Sequence, residues 1–406
     1  MNMKNHHKNS VNATKKILIL AGDTDGNMGD RALVFSMCEE LRRINPDIKI
    51  TLVSGDLIRD REFFRATTIR RGVLGLPSLV KAAMRSDLIL CGGGGLFQDD
   101  ASLVKVPYWT VRIAFTRLFF KKVIGYSLGV GPLNWAPSRL FARLAFACMD
   151  QISVRDPEAK KTSEKLTSKP IHIVPDPALI LPPSSEEEAY RILQENAVPL
   201  DGPPLVGVAI RRWFHHSPTL IPHKHAVKYH LRKIPGKEKY DRMTSLLAEV
   251  FDRMADECRA HILFMPTYNV AHEADYRTCE EVIEKMKSSR KSLIRITDPR
   301  LYKAVTGYLS VMLGGRMHPS IFSASMDTPI VGLSYNQKFF GFFHLLGLQD
   351  KIITVEDFVH KEMTNELVTL LSEAITSKSS PQPRVDELTK LIRESNENIM
   401  KRLRLN

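Results

Sequence analysis

Short apolar runs that end in glycine-rich loops recur along the whole chain, and they constrain its fold more than any other feature. Residues 17–21 run into Gly22-Asp-Thr-Asp-Gly-Asn-Met-Gly-Asp30, residues 88–91 into four consecutive glycines, and residues 311–313 into Gly314 and Gly315. Runs this short, without polar alternation, suit parallel strands buried on both faces. Residues 48–53, 122–126, 152–154 and 171–174 continue the series. Helical periodicity fills the intervals. From about Asp30 to Ile44, Leu33, Val34, Met37, Cys38 and Leu41 share one face. The alternation predicts a doubly wound α/β fold.

The pattern then restarts. Between 182 and 204 the composition shifts to Pro, Ser and Glu, with three glutamates at 186–188. Strands are expected again at 205–210, 261–265, 293–296, 311–313 and 330–333, with a helix over 243–258. We therefore expect two doubly wound, Rossmann-like domains facing each other across a cleft. The boundaries read as a disordered basic arm (1–16), an N-terminal domain (17–185), a linker (186–203), a C-terminal domain (204–382) and a C-terminal helix (383–406). A length of 406 residues suits two such domains. In the last segment Val385, Leu388, Leu391, Ile392, Ile399 and Leu403 lie near one face.

The arm carries Lys4, Lys8, Lys15 and Lys16, no acid and no apolar run, unlike a signal peptide. Five scattered cysteines (Cys38, Cys91, Cys148, Cys258, Cys279) suit neither a disulfide scaffold nor a zinc knuckle. No apolar run approaches the ~20 residues of a membrane span. A cytoplasmic protein is expected.

Three loops have the makings of a site. The loop at 22–30 joins a strand to a helix, where free N–H groups favour a polar or anionic ligand. Its glycines do not have the dinucleotide spacing, and it lacks the lysine of a P-loop. Asp23, Asp25 and Asp30 would repel phosphate and suit sugar hydroxyls better, with helix capping by Asp30 as the plain alternative. The loop Cys91-Gly-Gly-Gly-Gly-Leu-Phe-Gln-Asp-Asp100 gives up backbone entropy for close approach to a neighbour. Asp99 and Asp100 close it, and either could move a proton or cap a helix. The third loop, Leu313-Gly-Gly-Arg-Met-His-Pro-Ser320, sets Arg316 and His318 between a strand exit and a helix start. Arginine offers a two-pronged fork for carboxylate or phosphate. Arg211 leaves the first strand of the second domain in the equivalent position.

Arg211 also opens the most basic stretch. Residues 211–242 hold nine Lys or Arg, two acids and five His, and so contribute +7 to a net charge of +13. Trp213, Phe214 and Tyr229 are interleaved. A solvated loop is the default reading, but the density favours an anionic partner: a phosphorylated sugar carrier, a membrane surface or, least, nucleic acid. No nucleic-acid-binding motif accompanies it, so no nucleic-acid partner is expected.

The GNMGD loop, the GGGGLFQD loop, Val154-Arg-Asp156, Pro175-Asp-Pro177 and the run from Gly314 through Met317-His-Pro319 to Tyr335-Asn-Gln-Lys338 together resemble the polysaccharide pyruvyltransferase family. The resemblance spans residues 17–347. It implies a GT-B-like fold and transfer of pyruvate from phosphoenolpyruvate to two hydroxyls of a sugar in an exopolysaccharide or cell-wall polysaccharide, or its precursor. The product would be a cyclic ketal, and phosphate would be released. Carried over by position, Arg316, His318 and Arg211 become donor-binding residues, with Gly315 and Met317 beside them. The acceptor side is then expected on Gly26, Asn27, Asp30, Gly94 and Gly95. His318, Asp99 and Asp100 are the candidates for acid and base. No metal and no cofactor beyond phosphoenolpyruvate as co-substrate is expected. The acceptor could be lipid-linked, with peripheral contact at the inner face of an anionic membrane. One departure stands out: the stretch between Trp213 and Lys239 is longer and more basic than the family pattern. The rival readings are a nucleotide-sugar glycosyltransferase of the same architecture and a non-catalytic binding protein of this fold. Against the first, no Glu occurs between Glu284 and Glu356, where retaining members place a pair.

Overall fold

The computed structural model describes residues 14–100, 102–119, 121–212, 236–268, 274–335, 337–377 and 381–404. The first half runs β1 (Lys16–Leu20), α1 (Met28–Ile44), β2 (Lys49–Ser54), α2 (Leu57–Phe64), β3 (Thr67–Arg70) and α3 (Leu76–Arg85). It continues with β4 (Leu88–Gly92), α4 (Lys105–Arg117), β5 (Lys122–Leu128), α5 (Ala136–Ala147), β6 (Gln151–Val154), α6 (Pro157–Glu164) and β7 (Ile171–Ile173). A short helical turn at Pro177–Ile180 and α7 (Glu186–Glu195) lead to the second half.

There β8 (Leu205–Ala209), α8 (Lys237–Glu257), β9 (His261–Phe264), α9 (Asp275–Lys285), β10 (Lys291–Leu293) and α10 (Pro299–Thr306) come first. They are followed by β11 (Val311–Gly314), α11 (Met317–Ala324), β12 (Ile330–Ser334) and α12 (Gln337–Leu346). Last come β13 (Ile352–Thr354), α13 (Val355–His360), α14 (Thr364–Ser377) and α15 (Gln382–Arg404).

Within the two sheets every described strand pairing is parallel. The first sheet has the order β3-β2-β1-β4-β5-β6-β7 and the second β10-β9-β8-β11-β12-β13. In each the chain winds outward from a central strand, returns across the sheet, and winds outward the other way. The apolar runs become central strands for the expected reason: β1, β4, β8, β11 and β12 hold almost only buried residues. Two strands fall outside the expected series. Both β3 and β13 are half-covered edge strands. The strand expected at 293–296 lies earlier, at Lys291–Leu293, also on an edge.

The stretch read as a linker carries a helix. Ser185 caps α7 there, Ala189 and Leu193 are fully buried, and Ser184 N–H donates to the Arg300 carbonyl at 3.0 Å. Helix α7 thus packs on the second half. Helix α15 turns back to the first half and lies along α1. One apolar core runs without a break from α1 and the inner face of the first sheet, through Leu179 and Leu181, to α10, α11, α12 and α15. Burial of each large aliphatic side chain contributes about 1.5–3 kcal/mol, so this shared core holds the halves in register.

Candidate active site at the paired switch points

Both sheets reverse their winding at a central pair, β1 with β4 and β8 with β11. Loops leaving the carboxyl ends of such a pair diverge to opposite faces and open a crevice. All three glycine-rich loops leave from these two points.

At the first, a buried network sets the path of the loop after β1. Asp60 accepts from Thr24 Oγ1 at 2.6 Å, Ser54 Oγ at 2.7 Å and Arg31 Nη1 at 3.1 Å. Arg71 clamps the outside, donating to Asp23 Oδ1 at 3.0 Å and the Gly22 carbonyl at 2.6 Å. Gly26 lies in the turn that follows. The cap of α1 is Asn27, whose Oδ1 accepts from Gly29 N–H at 3.0 Å and more loosely from Asp30 N–H at 3.4 Å. Asp30 is therefore not the cap. Its buried carboxylate turns back to accept from Asp23 N–H at 3.0 Å. Burial pushes that carboxyl above its ordinary value, against the pull of His318.

The four-glycine loop wraps this carboxylate. Gly93 and Gly94 have φ of +90° and +84°, which only glycine adopts freely. A Cβ at Gly94 would stand 2.3 Å from Asp30 Oδ1, so the backbone comes as close as it can. Gly95 lies against the backbone of Gly129. Asp99 is fully buried and accepts from the N–H groups of Asn134 at 2.9 Å and Trp135 at 2.8 Å. Both its oxygens thus fasten the turn before α5. Asp100 is half-buried and lies near Lys105, a cation not singled out in the sequence. Burial pushes Lys105 below its ordinary value while Asp100 and Asp30 pull it up.

At the second switch point Ala209 pairs with Gly314, so Arg211 and Arg316 each stand two residues beyond the same rung. Gly315 N–H donates to the Ala209 carbonyl at 2.8 Å. The guanidinium of Arg211 lies over the Tyr335 ring at 4.3 Å. Arg316 differs from expectation: its Nε and Nη2 grip the buried carboxylate of Asp275 at 2.8 and 2.6 Å. That edge of the fork is committed to holding the side chain in place. Asp275 also accepts from Tyr268 N–H at 3.0 Å, and Tyr268 forms an isolated antiparallel bridge with Asn27 across the cleft. Met317, the first residue of α11, is buried. Of the basic stretch, residues 213–235 lie outside those described, as do Asn336 and the side chains of Gln337 and Lys338.

His318 joins the two points. Its ring covers Gly29 at the start of α1 so closely that a Cβ there would stand 1.9 Å from Nδ1. Nε2 lies 3.7 Å from Asp176 Oδ2, and neither atom has a hydrogen-bond partner among the described residues. Arg155 completes the group, with Nη1 3.7 Å from the same oxygen. Burial raises the Asp176 carboxyl, but His318, Arg155 and the Ala178 N–H outweigh it and hold the group below the usual range. A buried carboxylate behind an imidazole helps to orient the ring.

A model of the polysaccharide pyruvyl transferase family matches residues 27–337. The chain belongs to this family. The match takes in the first loop from Asn27 onward, the other two loops entire, and Arg155, Asp176, Arg211 and Asp275. No curated protein matches the chain significantly. Among solved structures, UDP-GlcNAc 2-epimerase from Methanocaldococcus jannaschii is similar with a TM-score of 0.61 at 12% identity, over 95% of this chain and 100% of that one. The Neisseria meningitidis UDP-GlcNAc 2-epimerase has a TM-score of 0.56 at 10% identity, over 93% and 98%. A glycosyltransferase from Rickettsia africae also has 0.56 at 10%, over 96% and 99%. At such identities the likeness is one of fold, the two-domain GT-B-like architecture.

Proposed function

We propose that this member of the family transfers pyruvate from phosphoenolpyruvate to two hydroxyls of a sugar in a polysaccharide or its precursor, closing a cyclic ketal. Phosphoenolpyruvate is a small trianion, and Arg211, Arg316 and the N-terminus of α11 form the cationic side of the crevice. The glycines and carboxylates of the first half suit an uncharged polyol. The observation that carries the reading is His318, which comes from the donor half yet lies on the first turn of α1 in the acceptor half.

In the reaction a proton adds to the methylene carbon of the enol, and a sugar oxygen bonds to the adjacent carbon as its own proton leaves. The carbon–oxygen bond to phosphate then breaks, and the second hydroxyl attacks the same carbon. Two protons leave the hydroxyls, one becomes part of the methyl group, and one departs with phosphate. His318, oriented by Asp176, is suited to exchange one of them, and Asp100 is the carboxylate left for the other. The test is phosphate release from phosphoenolpyruvate with a panel of lipid-linked and nucleotide-linked sugars, with the ketal detected by mass spectrometry. Release of nucleotide from a nucleotide sugar, with no use of phosphoenolpyruvate, would replace this reading by glycosyl transfer.

A further inference from the structure

Helices α3, α4 and α5 cover the outer face of the first sheet, with α4 packed along α5, anchored by buried Leu79, Ala83, Trp109, Ile113, Ala145 and Phe146. Their opposite faces are apolar too. Val73 and Leu74, in the turn before α3, are 80% and 74% exposed, Leu118 is 67% exposed, and Leu140 and Leu144 on α5 are 55% and 50% exposed. Among the described residues, nine of the twelve exposed large hydrophobic side chains belong to this one layer. Scattered single residues would need no explanation, but such concentration marks an interaction surface.

Charge says what covers it. Segments 70–85, 104–122 and 133–149 hold eleven Lys or Arg and no Asp or Glu. Some of these cations meet acids from outside the segments: Arg71 pairs with Asp23, Arg117 with Asp150, and Lys105 lies near Asp100. Arg70, Lys81, Arg85, Arg139 and Arg143 are exposed beside the apolar side chains. A second copy would set this positive face against itself, which is unfavourable. An anionic lipid surface offers both what the charge attracts and an apolar boundary for the leucines.

We propose that the α3–α5 face docks on anionic membrane, with Leu140 and Leu144 entering the acyl boundary and Trp135 at headgroup level. No described helix is long and apolar enough to cross a membrane, so the contact is interfacial. Because the helices run antiparallel to the strands, Val73, Leu74, Val104 and Trp135 all lie at the carboxyl edge of the sheet. That edge also carries the glycine loops. Docking therefore sets the mouth of the crevice at the lipid surface, where a lipid-linked sugar would be presented. The docking itself is independent of the reaction proposed above.

Sedimentation of the full chain with phosphatidylglycerol–phosphatidylcholine vesicles, and with phosphatidylcholine vesicles alone, tests this. Binding is expected only to the anionic vesicles, weakened but not abolished at 1 M salt, where the Debye length falls to about 3 Å. Leu140→Glu with Leu144→Glu should lower partitioning at least about tenfold at an unchanged melting temperature, since both side chains are on the surface. Absence of binding by the unaltered chain would overturn the proposal. So would binding that the double variant retains, which would assign attraction to the basic 211–242 stretch. A solution dimer that the double variant dissolves would make the partner a second copy instead.

Discussion

At the first switch point the loops present glycine backbone and the carboxylates of Asp30 and Asp100, whereas at the second the same topological position carries Arg211 and Arg316. One doubly wound plan thus yields two half-sites of opposite charge. The difference lies in how each loop is held. The first half is fixed from within, by Asp60 under the loop and Asn27 at the helix start. The second is fixed by an ion pair, Arg316 with Asp275. His318 crosses the division, since it belongs to the second half in sequence and to the first by contact.

Removing that crossing should have the largest effect. His318→Asn should lower turnover by ~10²–10⁴, the usual span for general acid–base catalysis, with donor binding nearly unchanged. Gly29→Ala, in the other half, should have a comparable effect, because its Cβ would occupy the space of the imidazole. Steady-state kinetics at saturating donor decides. Normal turnover in His318→Asn would pass the proton transfer to Asp100.

The next effect separates the ways the halves are held. Arg316→Lys keeps the charge but not the fork, so both the grip on Asp275 and the approach to an anion suffer. Donor affinity, read by calorimetry with phosphoenolpyruvate, should fall by about 1.5–3 kcal/mol, the scale of a hydrogen bond to a charged group. Asp275→Asn should imitate it without touching the ligand. Unchanged affinity in both would remove Arg316 from the donor site.

Gly94→Ala addresses the first half. Its φ of +84° and the 2.3 Å approach to Asp30 leave no room for a methyl group. Stability should fall by about 1–3 kcal/mol, the cost of a side chain in that conformation. Acceptor KM should rise while donor affinity holds. A fall in donor affinity would show that the half-sites are not separate.

What the sequence made legible follows the same division. Central strands and glycine loops could be read because burial on both faces leaves unbroken apolar runs, and tight turns demand glycine. The edge strand β3, with Thr67, Thr68 and Arg70, carries no such signal. Asp176 and Asp275 went unassigned because each finds its partner far along the chain, Asp275 through a separation of 41 residues from Arg316. Pro175-Asp-Pro177 was visible as a motif, yet nothing local says that its carboxylate faces His318. Asp99 shows the converse. An acid after a glycine loop reads equally as catalyst or anchor, and only the fold brings it to the N–H groups of Asn134 and Trp135.

The smallest effect on the reaction should come from Lys303, which lies where the halves meet but outside the crevice. It is buried on α10 and donates from Nζ to the Leu179 carbonyl of the first half at 2.9 Å. Burial pushes its amine down from 10.5 to about 7. Between those values the unfolded chain binds a proton that the folded chain does not. Stability should therefore rise with pH from about 7 towards 10.5, and below 7 the buried cation is carried in full. Thermal unfolding across this range should show the rise, and Lys303→Met should flatten it. Turnover at any fixed pH should hardly move, because no group of the crevice is altered. An unchanged slope in the variant would mean that Lys303 keeps its charge at the interface. A large loss of turnover would mean that the division between half-sites depends on how the halves are joined, as well as on the loops that line them.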